Sequence, residues 1–351
     1  MNNYSPYFDG HNDVLLKLLF SKEKNKTKEF FNGNDYCHID FPKIKKSKFV
    51  GGFFAIFVPE KVPDESLFSK MASKSYSYDL PSPLKYDHSI ATTISMIDIL
   101  KNIIKNSNNE IILFTNKNDI INFDHENQIG IILHIEGAEA ISENFDSLEI
   151  LYELGLRSIG LVWSRSNIYG NGVPFKFPSS PDIGSGLTLK GKELVKESNN
   201  LKILIDLSHL NEKGFWDVAK ISNSPLIATH SNCHEICNHS RNLTNDQFKA
   251  INDSGGFVGL NFATAFLRED GQMIDTDLDI LIRHLDHMIK HLGENNVGIG
   301  SDFDGAKVPS KIKDLTGMNN LKNEMIKFNY SEELIDKIFY KNWLNFLKEN
   351  F

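Results

Sequence analysis

The pattern that most limits how this chain folds is an alternation of short apolar runs with amphipathic stretches. The runs are rich in β-branched and aromatic residues, and most end in polar ones. Eight of them read as strands: residues 7–8 ahead of DGHND, then 50–58, 129–136, 157–163, 201–209, 225–230, 255–262 and 296–302. Between them Ile90, Ile94, Ile97, Leu100 and Ile104 recur at helical spacing, as do Leu278, Leu281, Leu285, Met288 and Ile289. Near-continuous apolar strands joined by helices imply parallel strands covered on both faces. Eight such units imply an α/β fold of the closed (β/α)8 TIM-barrel type with long βα loops. An open doubly wound sheet is the alternative, but it wants a Gly-rich phosphate turn after its first strand, and FDGHND is not one.

No internal repeat or low-complexity linker interrupts the alternation, so residues 1–351 read as one domain, closed by a capped C-terminal helix from Ser331. Two long insertions, residues 59–85 and 164–187, each follow a strand and so fall on the catalytic face of a barrel, to line or cover a pocket or to form plain surface loop. The net charge of -8 argues against a nucleic-acid partner, and KIKKSK at residues 43–48 reads as a solvated loop. No stretch approaches the ~20 apolar residues of a membrane span. The N-terminus has neither the basic nor the apolar region of a secretory signal, so the chain reads as cytoplasmic, although a mature chain with its signal removed would look the same. Cys37, Cys233 and Cys237 cannot all pair with one another and read as reduced thiols.

The chemistry gathers at the strand ends. His11 and Asp13 follow the first strand, Glu136 ends the third, His209 the fifth, His230 the sixth and Asp302 the eighth. Each alone has an ordinary explanation: a satisfied histidine, or an aspartate capping the next helix. Together they deliver metal-ligand types from five strands to one end of the barrel. His-x-Asp in extended backbone puts His11 and Asp13 on one face, where they share an ion. His209 and His230, on adjacent strands, hold a second, and Glu136 lies between the two groups with oxygens enough to bridge them. Such a centre lowers the pKa of a bound water and polarises a substrate carbonyl, while Asp302 takes a proton from the attacking water and returns it to the leaving amine. The fork of Arg241 suits a substrate carboxylate, and a structural salt bridge explains it as well. His134 alternates with Glu136 along its strand and reads as a hydrogen-bonded neighbour.

Taken together, FDGHND, HID at residues 38–40, FVGGFFAIFVP, HIEGAEAI, LGLRSIGLVW, IDLSHL, ATHSNCHEICNHSRNLTNDQ and VGIGSDFDG resemble the membrane (renal) dipeptidase family, peptidase family M19, over the chain from Phe8 onward. The resemblance implies an amidohydrolase-like metallo-dependent hydrolase barrel, two Zn2+ ions, a homodimer, and a zinc-dependent dipeptidase acting on dipeptides, including those ending in a D-residue, through a metal-bridging hydroxide. It carries the first zinc to His11, Asp13 and the bridging Glu136, and the second to Glu136, His209 and His230. It makes Arg241 substrate-binding and Asp302 the acid/base. One position departs from the pattern: Trp163 stands where the renal enzymes have a substrate-contacting histidine, so oxyanion stabilisation falls to the metals or to Arg165 or Asn167, with Trp163 packing the pocket wall. Two alternatives follow: a binuclear hydrolase of the same fold acting on another amide or lactone, and a catalytically silent binding paralogue.

Overall fold

The computed structural model describes residues 5–60 and 69–351. Its centre is a ring of eight strands: β1 (Tyr7–Asn12), β2 (Phe49–Phe57), β3 (Ile129–Glu136), β4 (Leu156–Gly160), β5 (Leu204–Asp206), β6 (Ile227–Ser231), β7 (Phe257–Leu260) and β8 (Val297–Ile299). Each pairs in parallel with its sequence neighbours, and β8 returns to β1 through Ile299 and Asp9. The ring closes into a (β/α)8 TIM barrel, as the alternation predicts. All eight expected runs contain a strand. A further strand that escapes sequence reading, Ile111–Leu113, pairs with the first half of β3, and at three residues it is too short to show a period.

The helices at Tyr86–Lys105 and Asp279–Leu292 fall on the periodic stretches. On the first, the buried face is centred on Thr93, Met96, Ile97, Leu100 and Ile103, so Ile94 is 43% exposed although it fits the spacing. The lysine run is not a loop. All of it but Lys48, the left-handed C-cap, lies within a helix, Phe41–Ser47, that Asp40 caps by accepting the Lys43 amide, and its Lys45 and Lys46 sit in the last turn, where positive charge meets the negative end of the helix dipole. No helix of the described residues is long and apolar enough to cross a membrane. The three cysteines are free and buried.

The end of the barrel where the strands begin is filled by rings. Trp343, from the C-terminal helix Asn342–Asn350, lies 4.0 Å from the Phe257 ring and 5.0 Å from that of Phe53, and its Nε1 donates to the Ile299 carbonyl at 2.8 Å. Gly10 must be glycine here, because a Cβ would run into the Thr229 carbonyl and the Trp343 ring. Ser331 does cap the start of this terminal segment, its Oγ accepting the Leu334 amide at 3.1 Å.

At the opposite end the two insertions meet. Tyr76–Ser77 pairs antiparallel with Lys176–Phe177, the Tyr78 amide donates to the Phe175 carbonyl, and the Tyr76 hydroxyl donates to the Gly271 carbonyl at 2.7 Å. Met71, Phe266 and Met273 bury themselves beneath this ribbon, so loops following β2, β4 and β7 form one small apolar roof. The second insertion is therefore ordered by packing. Of the first, residues 61–68 lie outside the described residues.

Candidate metal centre and active site

Each strand end turns its polar residue inward. His11 is the fifth residue of β1, and Asp13 follows as the N-cap of the helix Val14–Phe20. Glu136 is the last residue of β3, and His230 the fourth of β6. His209 and Asp302 lie three residues beyond β5 and β8, and both adopt a left-handed backbone, with φ of 68° and 60°. Non-glycine residues occupy that region at a cost on the order of 1 kcal/mol or more, and such outliers gather at functional sites. Asp302 is thus no helix cap: the strained turn directs its carboxylate to the cluster, where the Asn261 amide donates to it at 2.9 Å. Gly305 leaves the space that Asp13 and Asp302 need, since a Cβ there would overlap both carboxylates.

The cluster is tight. Glu136 Oε1 lies 3.1 Å from His209 Nε2, 3.3 Å from His230 Nε2 and 3.7 Å from His11 Nε2, and the His209 and His230 Nε2 atoms are 3.2 Å apart. His11 Nε2 is 3.4 Å from Asp13 Oδ2, and Asp302 joins His11 and Asp13 within 4.8 Å. Donors around a tetrahedral zinc with bonds of roughly 2.0–2.1 Å stand about 3.3 Å apart. Glu136, His209 and His230 thus stand at metal-site dimensions, and His11 joins two overlapping groups, one with Glu136 and His230 and one with Asp13 and Asp302.

The electrostatics ask for cations at the same place. Burial alone would lower the pKa of His11, yet Glu136, Asp13 and Asp302 outweigh it and push the imidazole up to about 10. Burial raises the Glu136 carboxyl well above its ordinary value, with Asp13 and Asp302 adding repulsion that His11 and Arg241 oppose. His209 and His230 are pushed well below the usual histidine value by burial, with Arg241 and His11 adding to it, which keeps their rings neutral and their lone pairs available. Among the described residues, both nitrogens of His11 are buried with no hydrogen-bond partner. A divalent cation supplies what these orphaned donors and crowded carboxylates need.

Around the cluster, Arg241 is buried and braced, donating to the His230 carbonyl at 2.9 Å and to Ser231 Oγ at 3.1 Å, while its Nε has no partner among the described residues. Trp163 packs against Phe57 at 4.8 Å, Phe175 at 5.5 Å and the His209 ring at 5.8 Å, forming an aromatic wall beside the cluster. The two donors considered as replacements for the missing histidine are committed elsewhere. Arg165 donates to the Val58 carbonyl and pairs with buried Glu139, and Asn167 donates to the Leu161 carbonyl and accepts the Tyr169 and Gly170 amides.

Sequence reasoning missed the supporting residues. Asp206 accepts the Thr229 hydroxyl at 2.6 Å and the amides of Thr229 and Ser208, Ser164 Oγ meets His209 Nδ1 at 2.9 Å, and Ser301 braces Asp9. His134, read as a neighbour, hydrogen-bonds Ser158 at 3.0 Å and lies 3.6 Å from Asp206 beneath His11. The available signal was polar residues inside apolar strand runs, as in ILIDLSH and LIATHS. The partners within each such pair become visible only when the strands are side by side.

Comparisons with known proteins point to one family. The pattern of the Membrane dipeptidase (Peptidase family M19) family matches residues 1–350. A metallo peptidase from Rhodobacter sphaeroides, solved with a phosphinate mimic of the dipeptide L-Ala-D-Ala, superposes with a TM-score of 0.97 at 42% identity, covering 99% of this chain and 100% of that one. An uncharacterized protein of Acinetobacter calcoaceticus, from the PQQ-III 3' region, is 40% identical over 81% of this chain and 89% of its own length. An uncharacterized dipeptidase of Schizosaccharomyces pombe is 28% identical over 91% of this chain and 76% of its own. With its barrel, its strand-end donors and its motifs in family order, the chain belongs to the membrane dipeptidase family, peptidase family M19, and is a metallo-dipeptidase.

Proposed function

We propose that the protein is a binuclear zinc dipeptidase that hydrolyses L-Xaa-L-Xaa and L-Xaa-D-Xaa dipeptides. The observation that carries this reading is one carboxylate, Glu136, within 3.7 Å of three imidazole Nε2 atoms at the mouth of a barrel. When bound, a zinc pair activates a water and polarises the scissile carbonyl. His11 and Asp13 would hold one position, His209 and His230 the other, and Glu136 would be shared. Asp302, held by Asn261 with its carboxyl pKa raised chiefly by burial, accepts a proton from the attacking water and passes it to the leaving amine nitrogen. Arg241, with its unpaired Nε, takes the substrate's terminal carboxylate. Trp163 and Phe175 shape the wall beside His209. The likeness to the Rhodobacter enzyme supports a small D-residue, such as D-Ala, at the second position.

The test is a panel of L-L and L-D dipeptides, including L-Ala-D-Ala, offered to zinc-loaded protein, with metal content measured on the same sample. Release of amino acids from dipeptides and not from tripeptides is the expected result. No hydrolysis of any dipeptide by a metal-replete sample overturns the reading. The aromatic wall favours a second reading, in which the same centre opens an acyl-amino acid or a lactone. Turnover of those substrates with dipeptides untouched selects it.

A further inference from the structure

The two halves of the donor cluster are not equally supported. His209 Nδ1 lies 2.9 Å from Ser164 Oγ. His230 Nδ1 lies 2.8 Å from Thr229 Oγ1, whose own proton goes to Asp206 Oδ2 at 2.6 Å, and Asp206 is in turn held by the amides of Thr229 and Ser208. In both rings Nε2 faces the cluster, so Nδ1 carries the proton and donates it outward to a hydroxyl oxygen. This fixes the tautomer and the ring plane, and the Asp206 carboxylate behind Thr229 raises the basicity of the His230 nitrogen that faces a metal. His11 has no such brace. Among the described residues its Nδ1 is buried with no hydrogen-bond partner: the ring stacks on His230 at 3.8 Å and meets His134 edge-on at 5.5 Å, while only its Nε2 side approaches Asp13, at 3.4 Å, and Glu136, at 3.7 Å. Asp13, its companion, makes no side-chain cap hydrogen bond at the head of its helix.

Outer partners of this kind are worth roughly 10- to 100-fold in metal affinity. We propose that the two metal positions are unequal by construction: the position of His209 and His230 is the tight one, and the position of His11 and Asp13 is the loose one, filled last and emptied first. This rests on the binuclear reading given above. Ser164 and Thr229 are then positioning residues that act through the imidazoles they hold, and the loose position is the one through which the supply of divalent metal sets the fraction of complete centres.

The experiment counts metal and does not depend on turnover. Protein stripped by a chelator is titrated with Zn2+ against a chromophoric competitor, and bound zinc is measured by elemental analysis. The wild type is expected to bind two ions in two phases separated by roughly 10-fold or more. His11→Ala should keep the tight ion and His230→Ala should lose it. Ser164→Ala and Thr229→Val should each weaken the tight phase roughly 10- to 100-fold while leaving the loose phase in place, and Ser164→Thr, which keeps the hydroxyl, should restore it. Circular dichroism of each stripped variant selects the folded ones for titration. Two ions of indistinguishable affinity in the wild type, or a tight ion that survives in His230→Ala and disappears in His11→Ala, overturns the proposed order while leaving the binuclear centre standing. A single ion at saturating zinc overturns the centre itself, and this inference with it.

Discussion

Where the strands begin, Trp343, Phe257, Phe53 and Phe8 fill the barrel with rings, and the Trp343 Nε1 finds the Ile299 carbonyl. Where they finish, His11, Asp13, Glu136, His209, His230 and Asp302 crowd the same cross-section with charge and lone pairs, and two residues there hold a left-handed backbone. The lower end gains stability from burial of apolar surface. The upper end gives some of it up, placing carboxylates where their charges repel and donors where no protein group meets them. One scaffold therefore separates the residues that hold the fold from the cluster to which the reaction is assigned.

Changes at the two ends should have opposite signatures. Glu136→Gln should remove dipeptidase activity by ~10^3-fold or more, because the carboxylate shared in the proposed metal centre loses an anionic oxygen. The thermal midpoint of the metal-free variant should be unchanged or higher, since a buried carboxylate with a strongly raised pKa has been neutralised. A variant that lost stability in step with activity would erase the division between the ends. Trp343→Ala should do the reverse, lowering unfolding free energy by about 3–5 kcal/mol in urea while the folded fraction keeps its kcat.

A third measurement concerns pH. His284 joins the loops after β6 and β7: its Nδ1 accepts the Cys233 amide at 3.1 Å and its Nε2 meets the Leu267 carbonyl at 2.9 Å. Burial, the dominant cause, lowers its pKa from 6.5 to about 4. The folded value is the depressed one, so the unfolded chain takes up the proton first. The stability that neutral His284 provides is complete above pH 6.5 and is lost as pH falls toward 4, by up to about 3 kcal/mol. Urea unfolding at pH 7.5 and pH 5 should show the loss in the wild type, and a smaller one in His284→Gln. Equal slopes in the two proteins would remove His284 as the source. The smallest effect belongs to the lower end, where Ser331→Ala should cost about 1 kcal/mol through the lost cap to the Leu334 amide, with no change in KM.

The alternation of apolar runs and helices determined the barrel, because strand and helix periods are local and a parallel sheet covered on both faces is the packing that satisfies them. The clustered strand-end residues were legible for a related reason: in a barrel every strand's C-terminal end reaches the same rim, so chain position alone assembles His11, Glu136, His230 and the rest. Hydroxyl partners were not legible. Ser164 and His209 are 45 residues apart, and only the adjacency of β4 and β5 makes them neighbours. The roof, the burial of the Arg165–Glu139 pair and the plug formed by Trp343 likewise depend on contacts between distant segments, which carry no period. Sequence by itself thus decided which donors reach the rim. Tertiary structure decided which of them are braced and which are left unpartnered, since a hydrogen bond is set by tenths of an ångström between atoms that the chain brings together only on folding.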